Sequence, residues 1–313
     1  MLKLLLKRAL AAMLTLVAIS AGIFVAIMLL PGDAADIVLG QASSEEARAA
    51  LQATMHLDEP APLRYMHWLA GALHGDLGTS LISNIKVANL IGSRLTNTLL
   101  LAGLTTAVAV PLAIALGITA AVWRNSIYDR AMMMLAVASV SVPEFLVATL
   151  AVIGFAVELR WFPALSKADA SSPASMLSNF TLPVATLALG VIAQLTRMTR
   201  TSLIAVLDLD FIEMARLKGL RQSRIVLHHA LPNAAGPIAN AAALSLSALL
   251  GGVIIVEVVF DYPGLAKLMV DAVATRDMPL IQACAMVFCA GYMALGLIAD
   301  LFSILTNPRL AHS

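Results

Sequence analysis

The sequence predicts an all-α protein built as one polytopic membrane helical bundle, with six transmembrane helices and both termini on the cytoplasmic side. Three observations predict it. Of 313 residues, 60% are hydrophobic and 12% charged, the latter about half the share usual in a soluble domain. The apolar residues are gathered in six long runs with no strand-like alternation. A backbone crossing hydrocarbon can satisfy its polar groups in such runs only as helix. Finally, with the N-terminus inside, twelve of the 20 basic residues fall in the shorter, cytoplasmic segments, as the distribution of Lys and Arg across membranes requires.

The first run covers 9–30 behind Lys3, Lys7 and Arg8. Its 22 residues rise about 33 Å as a helix, enough for a hydrocarbon core of about 30 Å. It ends in Met28-Leu29-Leu30-Pro31 without a small-x-small cleavage site, so it reads as a retained helix rather than a signal peptide. The remaining spans are expected at 99–122, 131–157, 182–198, 238–259 and 281–305, all in one permease-like domain over 1–313. The fourth is the shortest, with Gln194, Arg197 and Arg200 crowding its end. Pro111, Pro143 and Pro183 mark expected kinks.

The connections carry the polar chemistry. The outside loop 31–98 holds a polar helical stretch, Ser44 to Met55, and an amphipathic one after Pro62 with Tyr65, Trp68, Leu69 and Leu73 on one side. Its aromatics suit a membrane interface. The cytoplasmic loop 201–237 reads as helix, glycine turn, helix, proline. Asp210 and Glu213 have capping-box spacing. Phe211, Met214, Ala215 and Lys218 share one side. Gly219 is suited to a left-handed end. A second short helix over about Ser223 to Leu231 is interrupted by Pro232. Arg216, Lys218, Arg221 and Arg224 form a basic rim. By chemistry alone the loop reads equally as a solvated amphipathic connection.

Within the spans, Glu144 is costly unless it faces the bundle interior, a partner or water. Its spacing fits either a transport pathway or a structural hydrogen bond. Asp300 suits a structural pair, and Glu257 an interfacial position. Cys284 and Cys289 lie too close along one helix for a disulfide within it and read as core or lipid-facing residues. His228 and His229 are adjacent and diverge, so they make no metal site.

Glu213-Met-Ala215, then Gly219, then Leu231-Pro232 resembles the "EAA" signature of permease subunits of ATP-binding-cassette importers. That signature runs Glu-Ala-Ala, three residues, Gly, nine residues, a branched apolar residue, one more, Leu-Pro. Here Met214 replaces the first Ala and His229 the branched residue. Further stretches are similar to the oligopeptide/dipeptide/nickel branch: His56-Leu-Asp-Glu-Pro60, Gly75-Asp-Leu-Gly-Thr-Ser80, Ser141-Val-Pro-Glu-Phe145, Glu257-Val-Val-Phe-Asp-Tyr-Pro-Gly264, Arg276-Asp-Met-Pro-Leu280 and Asn307-Pro-Arg309. The resemblance runs in register along the whole chain.

The resemblance implies a type I importer permease fold and a multi-pass place in the bacterial plasma (inner) membrane. It implies an ATPase-coupling loop made by Glu213, Ala215, Arg216, Gly219, Leu231 and Pro232. The partners implied are a second homologous permease, two ABC ATPases and a periplasmic solute-binding protein. The default cargo is di- or oligopeptides, with a nickel or metal chelate or glutathione as alternatives. The chain has no Gly-x4-Gly-Lys-Ser/Thr loop, so no cofactor is expected in it, and ATP and magnesium belong to the ATPase subunits. Net charge is +1, which argues against nucleic-acid binding. An intramembrane protease would want Gly-x-Ser-x-Gly with His, paired Asp residues or His-Glu-x-x-His, none of which occurs. A standalone carrier would favour an inverted repeat, and none is evident.

Overall fold

The computed structural model describes residues 2–29 and 59–306. The polar stretch Ser44–Met55, the start of the His56–Pro60 motif, the Asp300 side chain and Asn307–Arg309 lie outside what is described. The elements are α1 (Leu2–Met28), α2 (Ala61–Leu73), α3 (Val87–Val122), α4 (Ile127–Ser141), α5 (Glu144–Ala151), a π-helix over Val152–Glu158, α6 (Pro173–Leu207), α7 (Asp210–Leu217), α8 (Gln222–Arg224), a second π-helix over Ile225–Ala230, α9 (Leu231–Val259), α10 (Leu265–Thr275) and α11 (Met278–Thr306). Among the described residues the only strand-like pairing is an isolated bridge between Thr79 and Lys86.

Among the described residues, five helices are long and apolar enough to cross a membrane, and a sixth span arises if the broken pair α4–α5 with its π-helical extension counts as one. The third run, expected as one helix over 131–157, bends by 97° between Ser141 and Glu144. The cause is local. Val142 precedes a proline, which disfavours the helical region for it. It takes φ −90°, ψ 125°, and Pro143 follows at φ −58°, ψ 136°. Two successive extended residues turn the chain. Pro111 and Pro183, by contrast, sit inside continuous helices.

The chain divides into two compact units. The first comprises residues 99–262 and 292–306. Its core joins the end of α6 to α7 and the start of α9 through Leu203, Leu207, Ile212, Ala215, Ile225, Val226, Ala230, Ala234 and Ile238. Where α3 crosses α6, the helices come close. A Cβ on Gly117 would lie 2.6 Å from the Thr199 Cβ and 2.9 Å from the Thr196 carbonyl oxygen. One turn away the Thr196 hydroxyl donates to the Ala113 carbonyl at 3.2 Å. Ala113 and Gly117 are thus a small-residue pair of the kind that lets membrane helices touch backbone to backbone. Arg200 on α6 grips Asp129 on α4, with Nε at 2.5 Å and Nη2 at 2.7 Å from the carboxylate oxygens. Glu257, expected at an interface, is fully buried beneath the turn in which the Tyr262 amide donates to its carbonyl at 2.9 Å.

The second unit comprises residues 2–29, 59–98 and 263–291. Its core is built from Ile27, Val87, Ile91, Leu265, Ala272, Leu280, Ile281, Ala283 and Cys284. Cys284 and Cys289 are free thiols. On α2, Tyr65 bonds the Ser20 hydroxyl of α1 at 2.7 Å, and its ring packs at 5.4 Å from that of Phe24. The Asn97 side chain donates to the Pro263 carbonyl at 2.8 Å, and the Leu265 amide to the Thr98 hydroxyl at 2.8 Å. These bonds seat the first turn of α10 against α3.

Candidate functional site

The segment between α6 and α9 is one short helix clamped from behind. α6 runs on to Leu207, and Leu209 then takes the extended N-cap position, φ −82° and ψ 148°, without a side-chain bond. The expected capping box therefore does not form. Asp210 and Glu213 instead lie within the first turn of α7, where their charges face the positive end of the helix dipole. Ile212 is fully buried and Ala215 nearly so. They dock α7 onto Ile225, Val226 and the end of α6. Burying the isoleucine is worth roughly 2–3 kcal/mol.

The other end of α7 matches the expected glycine stop. Gly219 has φ +77°. Its amide donates to the Arg216 carbonyl at 2.9 Å, and the Leu220 amide reaches back to the Ala215 carbonyl at 3.3 Å. That bond pair is a Schellman cap, completed by Leu220 packing on the core that holds Ala215. Beyond it, α8, the π-helix and α9 form one continuous apolar run, Gln222–Val259. Pro232 therefore does not interrupt a helix. It sits in the first turn of α9, behind a π-helical segment. An α-helix would require a hydrogen bond from residue 232 to the carbonyl of 228, which proline cannot donate, and the wider π-turn at Ile225–Ala230 falls where that clash would arise. Leu231 is half-buried and Pro232 exposed.

The structure brings Ala215 and Leu231 into one core and leaves Glu213, Arg216 and Gly219 exposed. Sequence spacing had grouped Phe211 with Ala215. In the structure they part by burial: Phe211, Met214 and Leu217 are 43%, 55% and 76% exposed, with Met214 and Leu217 turned away from Ile212 and Ala215 and Phe211 at the edge of the buried face. An apolar face of three large side chains is thus presented outward at i, i+3 and i+6 by a helix whose back is locked. That signal was available in the sequence as the apolar residues left over once Ile212 and Ala215 are assigned inward.

A second polar feature lies elsewhere in the same unit. α4, α5, α6 and α9 line a half-open cavity of about 430 Å³ whose lining includes Glu144, Gln194, Thr186 and Ser245. Glu144 begins α5. A Cβ on Gly252 would fall 2.5 Å from its Oε1, so the carboxylate lies directly against α9 where only glycine leaves room. Ser245 and Gly252 were not singled out by the sequence reading, since neither belongs to a recognisable motif.

Among the described residues, five helices long and apolar enough to cross a membrane, one broken pair and a short clamped helix between two of the longest define a polytopic membrane protein. Residues 113–312 match the family described as "Binding-protein-dependent transport system inner membrane component", and residues 1–102 its N-terminal companion, "Binding-prot-dependent transport system membrane comp, N-term". The chain belongs to this family of ABC-importer permease subunits, multi-pass proteins of the bacterial inner membrane. It is 37% identical over 312 residues to the glutathione transport system permease protein GsiC of Pectobacterium atrosepticum, and 36% identical to that of Escherichia coli K12, covering each chain in full. In fold it is similar to a chain of the MetNI methionine ABC transporter in an inward-facing conformation. The TM-score is 0.51 at 15% identity, covering 70% of this chain and 96% of the other.

Proposed function

We propose that this chain forms half of the translocation pathway of an ATP-driven importer of short peptides or glutathione, and that α7 is its coupling helix. The observation that carries the coupling role is the outward apolar face of Phe211, Met214 and Leu217 on a helix whose other side is buried in the core. Such a face is unfavourable in water and suits a groove on an ATPase subunit. The Schellman stop at Gly219 and the packed Leu231 make α7 rigid with α6 and α9, so a push on α7 is passed to two spans rather than absorbed by a loop. Glu213 and Arg216, exposed at the two ends, are suited to polar contacts at the groove's edge. The chain supplies no catalytic residue in this reading. ATP and magnesium act in two partner ATPases, a second permease completes the pathway, and an extracytoplasmic binding protein delivers cargo.

Cargo follows from two supports of different kind. The sequence motifs resemble the oligopeptide/dipeptide/nickel branch, and the similar curated proteins are named as glutathione permeases. Glutathione is itself a peptide-like molecule, so the two supports converge on one chemical class. The test is co-purification: the chain, expressed with its neighbouring transport genes, should elute with two ATPase subunits. Met214→Asp should release them while leaving the permease folded. Recovery of a functional lone oligomer, or full ATPase retention by Met214→Asp, would remove the coupling role.

A further inference from the structure

We infer that the cavity between α4, α5, α6 and α9 is a recognition site for a primary ammonium group of the transported solute, with the Glu144 carboxylate as its counter-charge. The inference rests on the reading of this chain as half of a translocation pathway and specifies what that pathway recognises.

Five observations carry it. The cavity holds about 430 Å³, within the roughly 300–1,000 Å³ of small-molecule sites. Its walls are mostly apolar, with Val147, Leu187 and Leu249 among them, yet Glu144 and Ser245 also line it, as does Gln194, whose Oε1 accepts from Arg197 Nη2 at 2.7 Å. Ser245 is 3% exposed and its hydroxyl has no hydrogen-bond partner, a state that costs free energy unless a ligand group completes it. Glu144 has no hydrogen bond or ion pair among the described residues, although the rest of α4 and α6 shows how such a charge is normally satisfied: Asp129 is held by Arg200. Gly252 preserves the space the carboxylate occupies, at 2.5 Å from a would-be Cβ.

The donor set selects the ligand. An ammonium group offers three N–H donors and no acceptor. The Glu144 carboxylate is an acceptor of matching charge for it, whereas Ser245, seven residues and about 10 Å along α9 from the Gly252 that the carboxylate abuts, is left to bond another polar group of the same solute. A transition-metal ion would want several carboxylate, imidazole or thiolate ligands, and no cluster of three such side chains occurs among the described residues. The ammonium class covers short peptides and glutathione alike and disfavours anionic metal chelates.

The test uses the assembled importer in nanodiscs, without the binding protein, so that delivery does not mask the site. A carboxyl-reactive carbodiimide is applied and labelling at Glu144 is read by mass spectrometry. Alanyl-alanine and glutathione should each lower that labelling at least fivefold. Their N-acetylated forms, which lack the ammonium group, should leave it unchanged. In cells carrying the full importer, Glu144→Gln should reduce uptake of the same two compounds at least tenfold, and Ser245→Ala about threefold, with complex recovery unchanged. Equal protection by the acetylated forms, protection by nickel ion alone, or normal uptake by Glu144→Gln would overturn the inference. Ala248→Trp separates the two levels, since Ala248 lines the same cavity. If it blocks uptake while Glu144→Gln does not, the pathway reading stands and the ammonium site falls. If it transports normally, both fall.

Discussion

The Ser80 hydroxyl donates to the carboxylate of Asp277 across 197 positions of chain. The other carboxylate oxygen accepts from the Leu81 amide at 3.2 Å. The Ser80 oxygen in turn accepts from the Ser83 amide at 3.1 Å, so one buried acid organises the 80–83 turn before α3. Asp277 itself sits between α10 and α11, just after Arg276 in the left-handed region at φ 56°. Two motifs that stand apart in the sequence, Gly75–Ser80 and Arg276–Leu280, are therefore one structural device within their unit.

Asp277→Ala should destabilise this device, because it leaves the buried Ser80 hydroxyl and the Leu81 amide without their acceptor. Each orphaned group costs about 1–3 kcal/mol. The expected outcome is a lower melting temperature in detergent and faster proteolysis between residues 79 and 86. Asp277→Asn keeps an oxygen for one donor and should lose about half as much. An Asp277→Ala protein that melts with the parent would show that the turn holds without the acid.

Gly117→Leu should prevent folding or assembly. Its Cβ would already meet Thr199 at 2.6 Å and the Thr196 carbonyl at 2.9 Å. Neither a threonine Cβ nor a backbone carbonyl can swing aside, so α3 and α6 must separate and the Thr196–Ala113 bond breaks. Overpacking of this kind costs typically 1–3 kcal/mol or more. Gly103→Leu is the matched control on the same helix, because a Cβ there meets nothing within 4 Å. Recovery of monodisperse protein should fall for the first substitution and not for the second.

Particular residues show why some of this was legible and some not. Gly219 could be read because a short amphipathic stretch followed by glycine has few other backbone solutions, and its φ of +77° agrees. Pro143 read as a kink, but its extent depends on Val142 also leaving the helical region, which side-chain pattern does not encode. Pro232 read as a break because an α-helix cannot house it. A π-turn can, and hydrophobic spacing does not distinguish the two. Asp210 read as a cap, but Leu209 took that position, since helix starts slide by a residue at little cost. Glu257 read as interfacial because local hydropathy cannot foresee the Phe260–Tyr262 turn packed over it.

Asp129 and Arg200 should behave as a coupled pair. The acid is nearly inaccessible, with 3% of its side chain exposed against 22% for the arginine, and it also accepts from the Asn125 amide at 2.9 Å. Removing one partner of a buried pair costs about 3–5 kcal/mol, so about 2 kcal/mol is expected here, where the guanidinium is partly wet. Asp129→Ala and Arg200→Ala should each lower the melting temperature, and the double variant should lose less than their sum. Strict additivity in that cycle would mean the ion pair contributes no coupling.

Gly219→Val tests whether α7 transmits force through its end. The backbone at φ +77° is costly for any side chain and most so for a β-branched one. Nothing lies within 4 Å of a would-be Cβ, so the penalty is conformational and not steric. For Gly219→Ala it should be about 1 kcal/mol, enough to loosen the cap without unfolding the bundle. Valine should cost more and open the bonds from Gly219 to Arg216 and from Leu220 to Ala215. α7 would still expose Phe211, Met214 and Leu217 and could still bind an ATPase subunit, but as the end of a slack tether. The expected result is an assembled complex whose ATP hydrolysis persists while uptake falls at least tenfold for valine and less for alanine. Loss of uptake in proportion to loss of ATPase binding would instead assign Gly219 to the docking surface, and unchanged uptake in Gly219→Val would mean that the cap is not part of the lever.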